Sequence, residues 1–251
     1  MSIALLKSER KDLILRQINI HTRVTFSDLS HLTHVSEDTI RRDLNELYAE
    51  GLVVKVRGGA MVSTYQTLAP KSDVYALNSK RTIAEKTLSL LKDGQLVLIG
   101  GGTTVRELIR LIPDSLTATF ITVNPVTVMD LMDKPNIETI MIGGKISKYS
   151  QMSVGGEVIQ KLSELRADLC IMGTNAIDVQ AGLTDSDWES VVVKKAMMKA
   201  ADKTAILAIS EKLYSRMKLK IADLADIGYL ITELEPYDPE LRQYTEGVVL
   251  M

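Results

Sequence analysis

Residues 34–59 read HVSEDTIRRDLNELYAEGLVVKVRGG, and this stretch decides the fold of the amino-terminal part of the chain. Ser36 is its best helix N-cap, because a hydroxyl there accepts from a first-turn NH and Glu37 and Asp38 follow at the positive end of the helix dipole. Ile40, Leu44 and Leu47 stand at i, i+4 and i+7 and make a buried stripe. At about 100° per residue, Asp38, Arg42 and Asn45 point nearly opposite that stripe, with Thr39 and Arg41 on its flanks. Beyond Gly51, Leu52-Val53-Val54-Lys55-Val56-Arg57 places alternate side chains on opposite faces and ends in Gly58-Gly59, the pattern of a hairpin wing. Upstream, His34-Val35 is a tight connection from a short helix that starts at Thr25, with Asp28 three residues on and Leu29 and Leu32 as its buried face. A first helix is expected over 7–20, with Leu6, Leu13, Ile14 and Ile18 on one side.

Helix, turn, helix and wing are the parts of a DNA reader. A helix fits the major groove, where Arg pairs with guanine and Asn with adenine, and wing cations meet phosphates. The candidate contacts are Ser36, Thr39, Arg41, Arg42 and Asn45 on the helix and Lys55 and Arg57 on the wing, with double-stranded DNA as the partner. Residues 1–60 hold nine Lys or Arg against eight acids. Affinity therefore has to come from placement and from paired modules, so a homodimer or homotetramer is expected.

From about Lys80 the texture changes to short β-branched runs alternating with helical patterns: 95–99, 119–123, 138–142, 168–172, 204–209 and 228–232. This alternation predicts an α/β domain with a parallel, Rossmann-like sheet over 80–251, after a linker at 61–79 that contains Pro70. After the first strand come Gly100-Gly101-Gly102-Thr103-Thr104 and a helix, the makings of an anion cradle. Other polar or glycine residues fall at strand ends, where open α/β sheets bind ligands: Thr122, Asn124, Gly144, Lys145, Asn175 and Lys212. Dinucleotide binding fits poorly, since Val105 stands where a third glycine is needed and Thr122-Val123-Asn124 where an acid is. Glu189 has two readings: it lies on the apolar helix face, aimed at the site, or it closes a capping box back to Ser186, and local pattern favours the box. Trp188 and Cys170 read as packing residues.

Composition bounds the alternatives. The 251 residues carry 30 Lys and Arg against 32 Asp and Glu, so any nucleic-acid signal is local. Aromatics are 4%, too few for a base-stacking surface on single strands. One cysteine and three histidines leave neither a disulfide framework nor a well-supplied metal site, and no cofactor is expected. No apolar run is long enough for a membrane span or a signal-peptide core, so a cytoplasmic location without membrane attachment is expected.

Val35-Ser36-Glu37-Asp38-Thr39-Ile40-Arg41-Arg42-Asp43-Leu44, with Leu47, Gly51 and Gly58-Gly59-Ala60, resembles the winged-helix signature of the DeoR family of bacterial transcription regulators. The resemblance continues through Gly102-Thr103-Thr104, Thr122 to Asn124, Gly143-Gly144, Gly173 to Asp178, Gly182-Leu183-Thr184, Glu189 and Lys212. It implies a recognition helix over 36–47 and a sensor domain similar to sugar-phosphate isomerases of the ribose-5-phosphate type. The sequence departs from the family pattern at Gly100, at Gly173-Thr174-Asn175 and at Ile209-Ser210-Glu211-Lys212, where the family usually has carboxylates. The function implied is a non-enzymatic regulator, a repressor of a carbohydrate-metabolism operon whose operator affinity responds to a phosphorylated sugar. The alternative is a sugar-phosphate isomerase with a fused DNA module; Asn175 cannot serve as its base, which leaves Glu189 and Asp178.

Overall fold

The computed structural model describes residues 5–62, 74–245 and 247–251, so residues 63–73 of the expected linker lie outside the described set. The chain divides into two compact units between Tyr75 and Ala76.

The first unit runs α1 (Lys7–His21), β1 (Arg23–Thr25), α2 (Phe26–Thr33), α3 (Glu37–Ala49), β2 (Val53–Val56) and β3 (Gly59–Val62). Both anticipated caps form: Thr25 Oγ1 accepts from the Asp28 NH at 3.1 Å and Ser36 Oγ from the Thr39 NH at 3.3 Å. Between the two helices, His34 takes the left-handed conformation, φ 55°, that turns the chain. Ile14, Ile18, Leu29, Ile40, Leu44 and Leu47 form the core. Leu6 and Leu32, expected on buried faces, are exposed: Leu6 precedes the first helical turn, and the buried side of α2 runs from Leu29 to Thr33.

The wing has three strands, in the order β1-β3-β2. β1 was not foreseen, since three residues carry no period; it is recruited by pairing Val24 with Ala60. The adjacent glycines of the wing serve different ends. Gly58 turns the hairpin at φ 84°, whereas a Cβ on Gly59 would lie 1.9 Å from the Val24 carbonyl oxygen. α1 is tied to α3 by a two-pronged ion pair, Arg10 Nε to Asp43 Oδ2 at 2.6 Å and Nη2 to Oδ1 at 3.2 Å, with both side chains largely buried. Lys7–Glu46 and Lys11–Glu50 flank it on the surface at 2.6 and 2.7 Å.

The second unit contains α4 (Leu77–Leu88), β4 (Leu96–Ile99), α5 (Thr103–Leu111), β5 (Ala118–Thr122), α6 (Pro125–Leu131), β6 (Ile137–Met141), β7 (Lys145–Ile146), β8 (Ser153–Val154) and α7 (Gly156–Ser163). There follow β9 (Leu169–Gly173), β10 (Ala176–Asp178), β11 (Gly182–Asp185), α8 (Trp188–Lys199), β12 (Thr204–Leu207), β13 (Leu219–Ala222), β14 (Tyr229–Ile231) and β15 (Val249–Leu250). A seven-stranded sheet, parallel throughout, has the order β15-β14-β12-β9-β4-β5-β6. All six expected strands are in it. The seventh, β15, and the antiparallel sheet β10-β11-β13 were not anticipated. Val97, Leu98, Ile99, Cys170, Ile171, Ala205 and Ile206 are fully buried along the central strands, as a parallel sheet covered by helices requires. Because the strands are parallel neighbours, the loops after β4, β5, β6, β9 and β12 all leave from one edge of the sheet.

Candidate functional site

In the first unit, Asp38, Arg42 and Asn45 are exposed on α3, away from its buried stripe. Among the described residues Arg42 has no ion-pair or hydrogen-bond partner, so its five donors face solvent. Thr39 is half-buried, its hydroxyl 3.1 Å from that of Ser36 at the start of the helix. Arg41 lies 4.0 Å over the Phe26 ring and 3.6 Å from a Glu37 carboxylate oxygen, which fixes its position beside α2. Lys55 stands 4.5 Å over the Tyr48 ring, placing the wing's cation next to the last turn of α3. Arg57 occupies the wing turn, where its carbonyl accepts from Arg23 Nη2 at 2.8 Å. Sequence reading missed Phe26 and Tyr48, whose role depends on cross-element contacts. The near-neutral charge also has a spatial explanation: Lys7, Arg10 and Lys11 are matched by Glu46, Asp43 and Glu50 between α1 and α3, while among the described residues Arg42 on α3 and Lys55 and Arg57 on the wing have no ion pair.

In the second unit, Gly102 opens α5 at φ 114° with no side chain capping it, which leaves the first NH groups of the helix available. A Cβ on Gly101 would stand 2.2 Å from Asn124 Nδ2, and one on Gly100 3.1 Å from Met172 Cβ. The loop is therefore packed tightly against its neighbours. Asn124 Oδ1 caps α6 through the NH groups of Val126 and Thr127, and Thr127 Oγ1 donates to the Gly100 carbonyl at 2.9 Å. Thr122, fully buried, accepts from the Asn124 NH at 3.1 Å. Thr122 and Asn124 thus shape the glycine loop from behind. Thr103 and Thr104 follow in the first turn of α5.

Glu189 does not close a capping box. Asp187 is the cap of α8, its Oδ2 accepting from the Ser190 NH at 2.9 Å and hydroxyl at 2.6 Å, and Ser186 Oγ instead meets the Tyr149 hydroxyl at 2.9 Å. A carboxylate one residue later outcompetes the serine, and Glu189 turns to Lys145 at 2.9 Å, with both side chains exposed. Gly144 precedes that lysine, packed so closely that a Cβ would meet Val158 Cγ2 at 2.8 Å.

The strongest electrostatic feature is a group of lysines that the sequence did not reveal as a group. Lys212 donates to the Thr174 carbonyl at 2.6 Å. Burial, reinforced by the charges of Lys80 and Lys194 and opposed by Asp185, lowers its pKa to about 7. Lys80, itself buried, is lowered to about 8 by desolvation against the attraction of Glu107 and Glu211. Lys194 binds the buried Asp185 at 2.6 Å. Burial pushes that carboxyl up, but Lys194, the Ser186 NH and the Asn175 amide together hold it below its usual value. Asn175 is thereby committed to Asp185. Asp185 directly follows Gly182-Leu183-Thr184, already singled out; Lys80 and Lys194 carry no local signal. Cys170 is buried and its thiol is pushed up to about 12, as for a packing residue. Among the described residues there is no group of three His, Cys, Asp or Glu able to hold a metal, and no helix long and apolar enough to cross a membrane.

Residues 10–66 match the family model of the DeoR-like helix-turn-helix domain, and residues 76–234 that of the DeoR C terminal sensor domain. The chain is 32% identical over 233 residues to the HTH-type transcriptional regulator GlpR of Haloferax volcanii, covering 91% of each chain. It is 32% identical over 234 residues to the HTH-type transcriptional repressor GlcR of Bacillus subtilis, covering 92% of this chain and 90% of that one. Among solved structures, ribose 5 phosphate isomerase A from Neisseria gonorrhoeae is similar at 16% identity and a TM-score of 0.41, over 55% of this chain and 54% of that one.

Proposed function

The chain belongs to the DeoR family of transcriptional regulators, and from that premise we propose that it is a cytoplasmic repressor of a carbohydrate-metabolism operon, released from its operator by a phosphorylated sugar. One observation carries the metabolite: Lys212, with Lys80 and Lys194 behind it, stands at the same sheet edge as an uncapped glycine turn and helix start. The phosphoryl group is held by Gly101, Gly102, Thr103, Thr104 and Lys212, and the Lys145–Glu189 pair faces the sugar hydroxyls. Ser36, Thr39, Arg41, Arg42 and Asn45 read the major groove, and Lys55 and Arg57 meet phosphates. Two or four copies bring two readers onto half-sites about one helical turn, ~34 Å, apart. The regulator is not an enzyme: where an isomerase needs a base there is Asn175, an amide already bonded to Asp185. Ligand weakens operator binding by favouring the arrangement that binds DNA poorly, a coupling of about 1–3 kcal/mol or roughly 5- to 150-fold.

The test is operator titration with a panel of sugar phosphates. A responsive phosphate should weaken binding within that range, and Thr103→Ala should bind the unliganded operator normally and lose the response. An unaltered response in Thr103→Ala removes the glycine-loop cradle.

A further inference from the structure

Arg41 and Arg42 are neighbours in the chain and both are exposed on α3, yet they are held differently. The difference starts at Phe26. Thr25 caps α2 and makes Phe26 the first residue of that helix, so its NH has no partner inside the helix. That NH donates instead to the Gly58 carbonyl of the wing turn at 2.9 Å. The half-buried Phe26 ring packs against the core of the unit, so backbone and ring are both anchored. Over this ring stands the guanidinium of Arg41, its central carbon 4.0 Å from the ring centroid. Glu37, one turn earlier on α3, lies 3.6 Å from an Arg41 nitrogen, which is an ion pair beyond hydrogen-bond distance. Among the described residues Arg41 therefore donates no hydrogen bond, and its fork of donors is open although the side chain is restrained. Arg42 has neither a ring nor a carboxylate among those residues. An arginine that is free in solution gives up rotamer freedom when it docks on a base; a restrained one has less to lose.

We propose that Phe26 is a positioning residue for DNA recognition: its ring holds Arg41 in the pose from which the guanidinium reads a base, so Phe26 sets the sequence preference at the base pair facing Arg41. The inference rests on the reading of Arg41 as a major-groove contact given above. Its consequence is confined to one place. Removing the ring face frees Arg41 and weakens discrimination at its base pair, whereas phosphate contacts, which carry no sequence information, and the position read by Arg42 stay as they were. A cation over an aromatic at an exposed site is worth about a two- to fivefold change in an equilibrium constant, which sets the size of the effect. Leucine and methionine keep the apolar packing of Phe26 without the ring; tyrosine keeps the ring.

The experiment is selection of binding sites by the full chain from duplexes randomised over about 30 base pairs, which span two half-sites a helical turn apart, with sequencing of the bound fraction. Arg41→Ala should flatten the preference at one position of each half-site. Phe26→Leu and Phe26→Met should weaken the preference at that same position about two- to fivefold and leave the other positions intact. Phe26→Tyr should select the sites of the unaltered chain. In the Arg41→Ala background Phe26→Leu should change nothing further at that position, since the two residues act as one. A loss of stability alone lowers the fraction of chain able to bind and leaves the selected sequence as it was, so an unchanged preference in Phe26→Leu and Phe26→Met overturns the inference. So does a loss spread over every position, a further loss in the Arg41→Ala background, or a Phe26→Tyr chain as impaired as Phe26→Leu. Failure of both ring-removing variants to select any site assigns Phe26 to the fold and overturns it too. If Arg41→Ala selects the same sites as the unaltered chain, the reading of Arg41 falls, and the inference with it.

Discussion

The two units carry their cations in opposite ways. In the winged-helix unit the key cations are arginines in water: Arg42 stands exposed on α3, and Arg57 occupies an exposed turn. In the α/β unit they are lysines, Lys80 buried and Lys212 and Lys194 half-buried, whose charges act on one another at the sheet edge. An exposed guanidinium keeps its charge at every physiological pH and matches the acceptor pairs of a base edge, whereas a buried amine trades charge for sensitivity. The contrast fits the two proposed tasks, reading a constant polymer and registering a variable metabolite.

The comparison breaks first at its one buried exception. Asp43→Ala leaves the largely buried Arg10 without its carboxylate, with only the Leu5 carbonyl at 3.5 Å to accept from it, and should destabilise the winged-helix unit by about 3 kcal/mol, seen as an early, separate transition in thermal melts followed by circular dichroism. A single unshifted transition would mean that the Arg10–Asp43 pair does not hold α1 to α3. Arg42→Ala should cost about 1–3 kcal/mol of specific operator binding and relax preference at one base position, with melting unchanged. Equal loss on random DNA would demote Arg42 to a phosphate contact. Lys55→Ala is the mildest, weakening binding evenly across sequences and lowering the salt slope by about one. A sequence-dependent loss there would move the wing into the groove.

Much of this was legible in the chain. The recognition helix announces itself through Ser36 and the stripe Ile40-Leu44-Leu47, and six of the parallel strands through β-branched runs that repeat with helical spacers. What stayed hidden was set by partners distant in sequence. β1 and β15 lie outside any repeating β-branched pattern and exist through pairing with β3 and β14. Asp187 took the cap that Ser186-to-Glu189 spacing suggested, because competition between neighbouring acceptors is settled by geometry. Lys80 and Lys194 lie on helices whose local pattern says nothing of the sheet edge they share.

Gly58 and Gly59 give the wing an unequal tolerance of substitution. At 58 the demand is a left-handed backbone, φ 84°, with open space around it, so a side chain there costs torsional strain alone and asparagine or aspartate bears it best. At 59 any side chain at all collides with the Val24 carbonyl, and the strand pairing that makes the wing three-stranded is lost. Two letters identical on the page thus answer different physical demands, one a torsion angle and the other empty space.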